Sequence, residues 1–343
     1  MKDFYEWQTG LSGKIEEVNE TLLKNIYTEQ DELYEMSRYT IDAGGKRFRP
    51  LLTILSFEIS SREPYQKILE LSAGYELIHT ASLIHDDIID GSSLRRGRPT
   101  VNAKYGINDA IVVGDYLFAK AYELGSRYGP AVSKIMADAA SLLAEGQILE
   151  AVNLANLSMS EDTYYEIIKK KTAMFFSACA LGATQVAGAD PMTRKNLTDF
   201  AYNLGMAFQI TDDIIDIVGN EQKMGKPSFV DLEHNAITLP VIVALKQGTA
   251  SDSAKLRQIL TEGSVNEDDK DIMKDILVRS ESIDYSFSIA KKYTENALKS
   301  LQMTDRSADL DLLVDLATIV IDRISQLEEV DADGQNEANS ITC

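Results

Sequence analysis

The 343-residue chain carries 54 acidic against 34 basic residues, a net charge of −20, with 44% hydrophobic residues and only 7 Pro. This composition excludes a disordered chain or a disulfide scaffold, and the charge argues against nucleic acid or an anionic lipid surface as partner. Two cysteines, Cys179 and the terminal Cys343, make no disulfide framework and suit a reducing cytosol, and a prenylated cysteine would sit fourth from the end.

In chain order, the start MKDFYEWQTGLSGKIEEV has acids where a signal peptide has a basic and then an apolar run, so no export is expected. Apolar residues then recur at three and four spacing, as in Leu22, Leu23, Ile26 and Leu33, Met36, Tyr39. Alternating β-branched runs are scarce, and the chain is expected to be all-α. Gly and Pro at Gly44-Gly45, Pro64, Gly91, Gly106, Gly129-Pro130, Gly188, Pro191, Gly225 and Gly248 divide it into roughly ten or more helices.

No composition shift marks a linker. Residues 1–327 are expected to form a single domain, and the acidic, polar stretch 328–343 to fray into disorder. Thr172 to Ala189 is uncharged but rich in Ala, Gly, Ser and Thr, which fits a buried bundle helix and not a membrane span.

A short pattern recurs: Ile84-His85-Asp86-Asp87-Ile88-Ile89-Asp90 is echoed by Ile210-Thr211-Asp212-Asp213-Ile214-Ile215-Asp216. On a helix the first and last acid of each trio share a face one turn apart, with the middle acid about 100° round. Such carboxylates are hard ligands suited to Mg²⁺, which shares its shell with water and substrate phosphates. One trio alone reads equally well as a solvated face. Two trios flanked by Ile sit at the edge of a core, where clustered like charges cost stability unless cations neutralise them.

Basic runs accompany the acids. Gly44-Gly45-Lys46-Arg47-Phe48-Arg49-Pro50 sets three cations beside a glycine pair, and Ser93-Leu94-Arg95-Arg96-Gly97-Arg98-Pro99-Thr100 follows the first trio. With Lys171-Thr172 and Lys226-Pro227 they give an acidic chain four groups suited to phosphate. His79 and His85 read on their own as structural residues.

GGKRFRP, HDDIIDGSSLRRGRPT, GDYLFA from Gly114, KTA from Lys171, and QITDDIIDIVG followed by MGKP occur in the order seen in the trans-isoprenyl (polyprenyl) diphosphate synthase family, which the chain resembles over roughly residues 40–245. The resemblance implies an all-α isoprenoid-synthase bundle, cytoplasmic and homodimeric, with a central substrate cavity and both trios near its mouth. It assigns Mg²⁺, three ions with substrate bound, to Asp86, Asp90 and Asp212 as principal ligands, supported by Asp87, Asp213 and Asp216. Lys46, Arg49 and His79, assisted by Arg96, would bind isopentenyl diphosphate. Arg95, Lys171, Thr172, Gln209 and Lys226 would hold the allylic diphosphate.

The chain departs from the family pattern at Asn235-Ala236-Ile237-Thr238-Leu239-Pro240, where many members carry a second lysine. The implied reaction ionises the allylic diphosphate to a carbocation, which the double bond of isopentenyl diphosphate attacks head to tail. The departing diphosphate then takes the proton.

Product length is expected to follow the helix upstream of Asp86, where one turn matches one isoprene unit, about 5 Å. Ala81 and Ser82 are small where farnesyl-stopping members carry aromatics, so the product is expected to reach at least twenty carbons. Ile78 and Tyr75 are candidates for a floor. Of the competing readings, a terpene cyclase has no use for GGKRFRP, and a non-catalytic subunit would lose aspartates that this chain keeps. A subunit that needs an unlike partner stays open.

Overall fold

The computed structural model describes residues 4–219, 228–262 and 266–339. Among them the only strands form a two-stranded ribbon and nearly everything else is helix, so the chain is all-α. It packs as two compact units. The first holds residues 1–142, 174–202 and 300–316, and the second holds 143–173, 203–299 and 317–343.

In chain order the elements are α1 (Phe4–Thr9), α2 (Ser12–Asn25), α3 (Asp31–Asp42), α4 (Phe48–Ser60), α5 (Leu69–Ile89), β1 (Leu94–Arg95), β2 (Arg98–Pro99), α6 (Val101–Tyr105), α7 (Ile107–Ser126) and α8 (Pro130–Ala151). There follow α9 (Glu161–Ile168), a π-helical turn (Lys169–Ala173), α10 (Met174–Ala187) and α11 (Pro191–Val218). The rest are α12 (Val230–Glu233), α13 (Leu239–Gln247), α14 (Ala250–Glu262), α15 (Glu267–Arg279), α16 (Ser282–Ser300) and α17 (Ala308–Asn339).

In the first unit α5 is buried nearly all round, from Leu69 through Ile84, which marks a central helix and not a surface one. It packs on α2, α4 and α7, and α4 packs in turn on α10. Gly74 lets α5 approach closely, since a Cβ there would stand 3.3 Å from the Ala121 carbonyl of α7 and 3.2 Å from Met136 Cε of α8. Each fully buried Leu or Ile along this helix contributes about 1.5–3 kcal/mol. Trp7 seals the edge, 1% exposed, with its indole N–H donating to the Leu312 carbonyl at 2.9 Å.

In the second unit α13, buried from Leu239 to Ala244, packs on α9, α14 and α15. α15 starts with a capping box between Asn266 and Asp269, which satisfies two otherwise unpaired N–H groups. The stretch from Thr172 leads into α10 of the first unit, whose residues from Phe175 to Ala180 are buried. Among the described residues no helix is long and apolar enough to cross a membrane. α17 runs to Asn339.

Candidate active site

The first aspartate trio closes α5. Asp86 and Asp87 lie in its last turn, and Asp90 is the C-cap residue, its N–H donating to the Asp86 carbonyl at 2.8 Å. The one-turn spacing of Asp86 and Asp90 is therefore present, but the helix stops there. Ile84 is buried at 3% exposure, while Ile89 is 58% exposed because it lies past the packed part of the helix. Asp87 turns inward, and the Arg95 guanidinium meets its Oδ1 at 2.7 Å through both Nε and Nη2. Burial raises the Asp87 carboxyl above its ordinary range, and Arg95 opposes that rise.

Arg95 and Arg96 are delivered by a hairpin that the all-helical expectation did not include. Leu94 pairs with Pro99 and Arg95 with Arg98, and the two connecting residues both have positive φ, Arg96 at 53° and Gly97 at 73°. Such turns match the twist of a hairpin, and a non-glycine residue in that region carries strain that is typical of functional sites. Arg96 reaches back to donate to the Gly44 carbonyl. Its guanidinium fills the space over Gly45, where a Cβ would meet Nη1 at 2.9 Å, and Gly45 itself has φ 147°. The glycine pair therefore serves both conformation and close approach.

Here the basic residues of the first unit converge. His79 on α5 is held well below its ordinary pKa, chiefly by burial and then by Arg49, Arg96, Arg95 and Arg47 around it. The four guanidinium groups act on it through their charge. Arg49 stacks over Phe175 and Phe176, 5.2 and 5.1 Å from the ring centroids. Lys46 lies over the Phe48 ring at 5.8 Å. Of the three cations in GGKRFRP, Arg47 does not face outward: it is 4% exposed and paired at 2.8 Å with Glu76. The expectation of a three-cation phosphate loop is corrected to Lys46 and Arg49, with Arg47 turned into the core.

The second trio lies on α11 in deeper surroundings, with Ile210, Ile214 and Ile215 buried. Asp213 accepts from the Tyr164 hydroxyl at 2.6 Å and from Gln209 Nε2 at 2.9 Å, and Gln209 Oε1 accepts from the Thr172 hydroxyl at 2.8 Å. Burial raises the Asp213 carboxyl against these donors. Asp216 accepts from the backbone N–H groups of Val230 and Asp231, both at 3.2 Å. Asp212 is the most open of the three and lies 2.7 Å from Arg323 of α17, whose guanidinium stacks over Phe208 at 5.6 Å.

Thr172 and Gln209 are thereby brought together, while Lys171, in the π-helical turn, pairs with Glu150. A Cβ at Gly146 would stand 2.9 Å from the Lys171 backbone N, so α8 lies tightly against that turn. π-turns recur at functional sites. Lys226 lies outside the described residues. At the departure from the family pattern Asn235 has φ 61°, and its carbonyl accepts from Ala155 N–H at 2.8 Å. Tyr164 and Arg323 escaped the sequence reading, since nothing local in EDTYYEII or VIDRIS distinguishes a site residue from a helix-face residue.

The donor chemistry suits a hard cation. All six acids carry hard oxygen donors, and in each trio an inner carboxylate is anchored by protein donors while Asp86, Asp90 and Asp212 stay nearer solvent. Among the described residues no three acidic, His or Cys side chains converge into a closed cage, and Mg²⁺ seldom uses one, because it keeps waters and phosphate oxygens in its shell. The only thiol described, Cys179, is buried, and its pKa is pushed up to about 12 by that burial, which leaves it no nucleophilic role. Tyr75, Ile78 and Ala81 are fully buried on α5 and Ser82 nearly so. The Tyr75 hydroxyl donates to the Ala178 carbonyl at 2.8 Å and its ring meets Phe175 edge-on at 5.9 Å.

A sequence profile of the polyprenyl synthetase family matches residues 30–277. The chain is 33% identical over 310 residues to the octaprenyl diphosphate synthase of Haemophilus influenzae, covering 90% of this chain and 94% of that one. It is 35% identical over 279 residues to the geranylgeranyl diphosphate synthase of Saccharolobus solfataricus, covering 79% and 83%. The crystal structure of a Caulobacter crescentus polyprenyl synthase complexed with calcium and isoprenyl diphosphate superposes with a TM-score of 0.87 at 29% identity, over 93% of this chain and 97% of that one. With its aspartate trios, its GGKRFRP loop and this extent of likeness, the chain belongs to the polyprenyl synthetase family of trans-prenyl diphosphate synthases.

Proposed function

We propose that the protein joins isopentenyl diphosphate head to tail to an allylic diphosphate and releases a polyprenyl diphosphate of at least twenty carbons. The observation that carries this reading is the set of cations in the first unit: Arg95 brought to Asp87 by the hairpin, Arg96 over Gly45, and Arg49 stacked on Phe175 and Phe176. A concentration of cations on that scale in a chain of net charge −20 suits a diphosphate, and forked guanidinium donors match its oxygens. Lys46, Arg49 and His79, with Arg96, take the isopentenyl diphosphate. Arg95, Lys171, Thr172, Gln209 and Lys226 take the allylic diphosphate, Lys171 exchanging Glu150 for a phosphate oxygen.

Mg²⁺ held by Asp86, Asp90 and Asp212, with Asp87, Asp213 and Asp216 in support, would neutralise the charge that builds on the departing diphosphate. The arginines add fixed positive charge to the same end. Apolar walls of the kind that Ile78 and Ala81 provide keep water from the carbocation. The small side chains of Ala81 and Ser82 admit a tail longer than fifteen carbons.

The reading includes a cytoplasmic homodimer, supported by the exposed Ile107, Ile111, Val112 and Tyr122 of α7, since apolar stripes of this kind mark association surfaces. The test is to incubate the purified protein alone with Mg²⁺, isopentenyl diphosphate and dimethylallyl, geranyl or farnesyl diphosphate, to size the products, and to measure its mass by light scattering. Absence of product with every primer refutes a self-sufficient enzyme, and a product that stops at fifteen carbons refutes the length.

A further inference from the structure

A buried ion pair lies beneath the Gly44–Arg49 loop and makes none of the phosphate contacts assigned above. Arg47 is 4% exposed and Glu76 of α5 is 3% exposed. Arg47 Nη1 meets Glu76 Oε1 at 2.8 Å, Nη2 donates to the Ile41 carbonyl at 3.1 Å, and Nε donates to Asn19 Oδ1 at 2.9 Å. One side chain thus ties α2, the end of α3 and the central α5 together. It does so from a left-handed backbone conformation, φ 52°, at the N-cap of α4. Lys46 precedes it directly and Arg49 follows two residues on.

Stability is a poor account of such a pair. Desolvating two charges offsets much of their attraction, and a well-packed apolar pair of similar volume is often as stable. What the pair does supply is direction: a planar guanidinium with fixed donors holds the loop to one path across the helix that carries His79. We infer that Arg47 and Glu76 are positioning residues, which set the Lys46–Arg49 segment against α5 so that it grips the diphosphate of isopentenyl diphosphate. The inference rests on the assignment of Lys46 and Arg49 to that substrate.

The test compares Glu76→Gln with the double variant Arg47→Met/Glu76→Leu in the full chain, measuring KM for each substrate and the urea midpoint. Glu76→Gln should raise KM for isopentenyl diphosphate about tenfold or more, as small misplacements of binding groups do, while KM for the allylic substrate stays within about twofold. The double variant should recover the wild-type midpoint and keep the raised KM. Recovery of both midpoint and KM overturns the inference and leaves a purely structural pair, as does an equal rise in both KM values with Glu76→Gln. Lys46→Ala separates the two levels. If it raises KM for isopentenyl diphosphate and Glu76→Gln does not, the positioning role alone fails; if it leaves KM unchanged, the substrate assignment fails and the inference falls with it.

Discussion

Replacing Tyr164 with Phe removes one hydroxyl and nothing else from the second aspartate motif. Tyr164 is 3% exposed and donates to Asp213 at 2.6 Å, and its ring packs on Tyr165 with centroids 5.5 Å apart. Phe keeps that ring contact. Asp213, itself 4% exposed, is left with Gln209 Nε2 at 2.9 Å as its remaining side-chain donor. A hydrogen bond to a charged group is worth about 1.5–3 kcal/mol, and a buried acceptor that loses its partner keeps the desolvation penalty. Tyr164→Phe should therefore lower stability by about 1.5–3 kcal/mol. Urea unfolding near pH 8 with a chelator present measures this without a metal contribution. A loss below about 0.5 kcal/mol, the range of neutral surface substitutions, would show that Tyr164 does not hold Asp213.

Two further outcomes follow from the first unit. Because the folded pKa of His79 lies well below its unfolded value of 6.5, its contribution is complete above pH 6.5 and is lost as pH falls; wild type should lose up to about 1.4 kcal/mol per pH unit below that point relative to His79→Gln. A stability gap between the two proteins that is constant from about pH 7.5 to 5.5 contradicts a lowered His79 pKa. Tyr75→Ala should lengthen the products if the phenol, latched to the Ala178 carbonyl at 2.8 Å, ends the tail's lane; since truncating a buried aromatic costs about 3–5 kcal/mol, products are sized at reduced temperature, and unchanged lengths sink the floor.

What could be read in the chain was what is contiguous in it. The DDIID repeats and the GGKRFRP and LRRGRP runs carry their chemistry in neighbouring residues, and helical spacing alone places Asp86 and Asp90 on one face. What escaped was set by tertiary partners. Arg47 stands between Lys46 and Arg49 and looks equivalent to them, yet Glu76, 29 positions on, draws it into the core. Tyr164 meets Asp213 across 49 positions, and Arg323 reaches Asp212 from the last helix. No local signal distinguishes these from ordinary helix residues. The hairpin was hidden because a strand of two residues is too short to show a period.

The partners explain how an acidic chain tolerates six more carboxylates at helix ends. Like charges at this spacing repel, and each buried acid also loses hydration. The molecule answers each inner acid with fixed donors: Arg95 on Asp87, Tyr164 and Gln209 on Asp213, and two backbone N–H groups on Asp216. These contacts fix the directions of Asp87, Asp213 and Asp216, while the outer acids Asp86, Asp90 and Asp212 lie nearer solvent. Of these outer acids Asp212 has a cation of its own, Arg323 at 2.7 Å, whose guanidinium lies over Phe208. A guanidinium is matched to carboxylate and phosphate oxygens alike, so under the proposed function Asp212 is the acid whose cationic partner has a second oxygen ligand to choose.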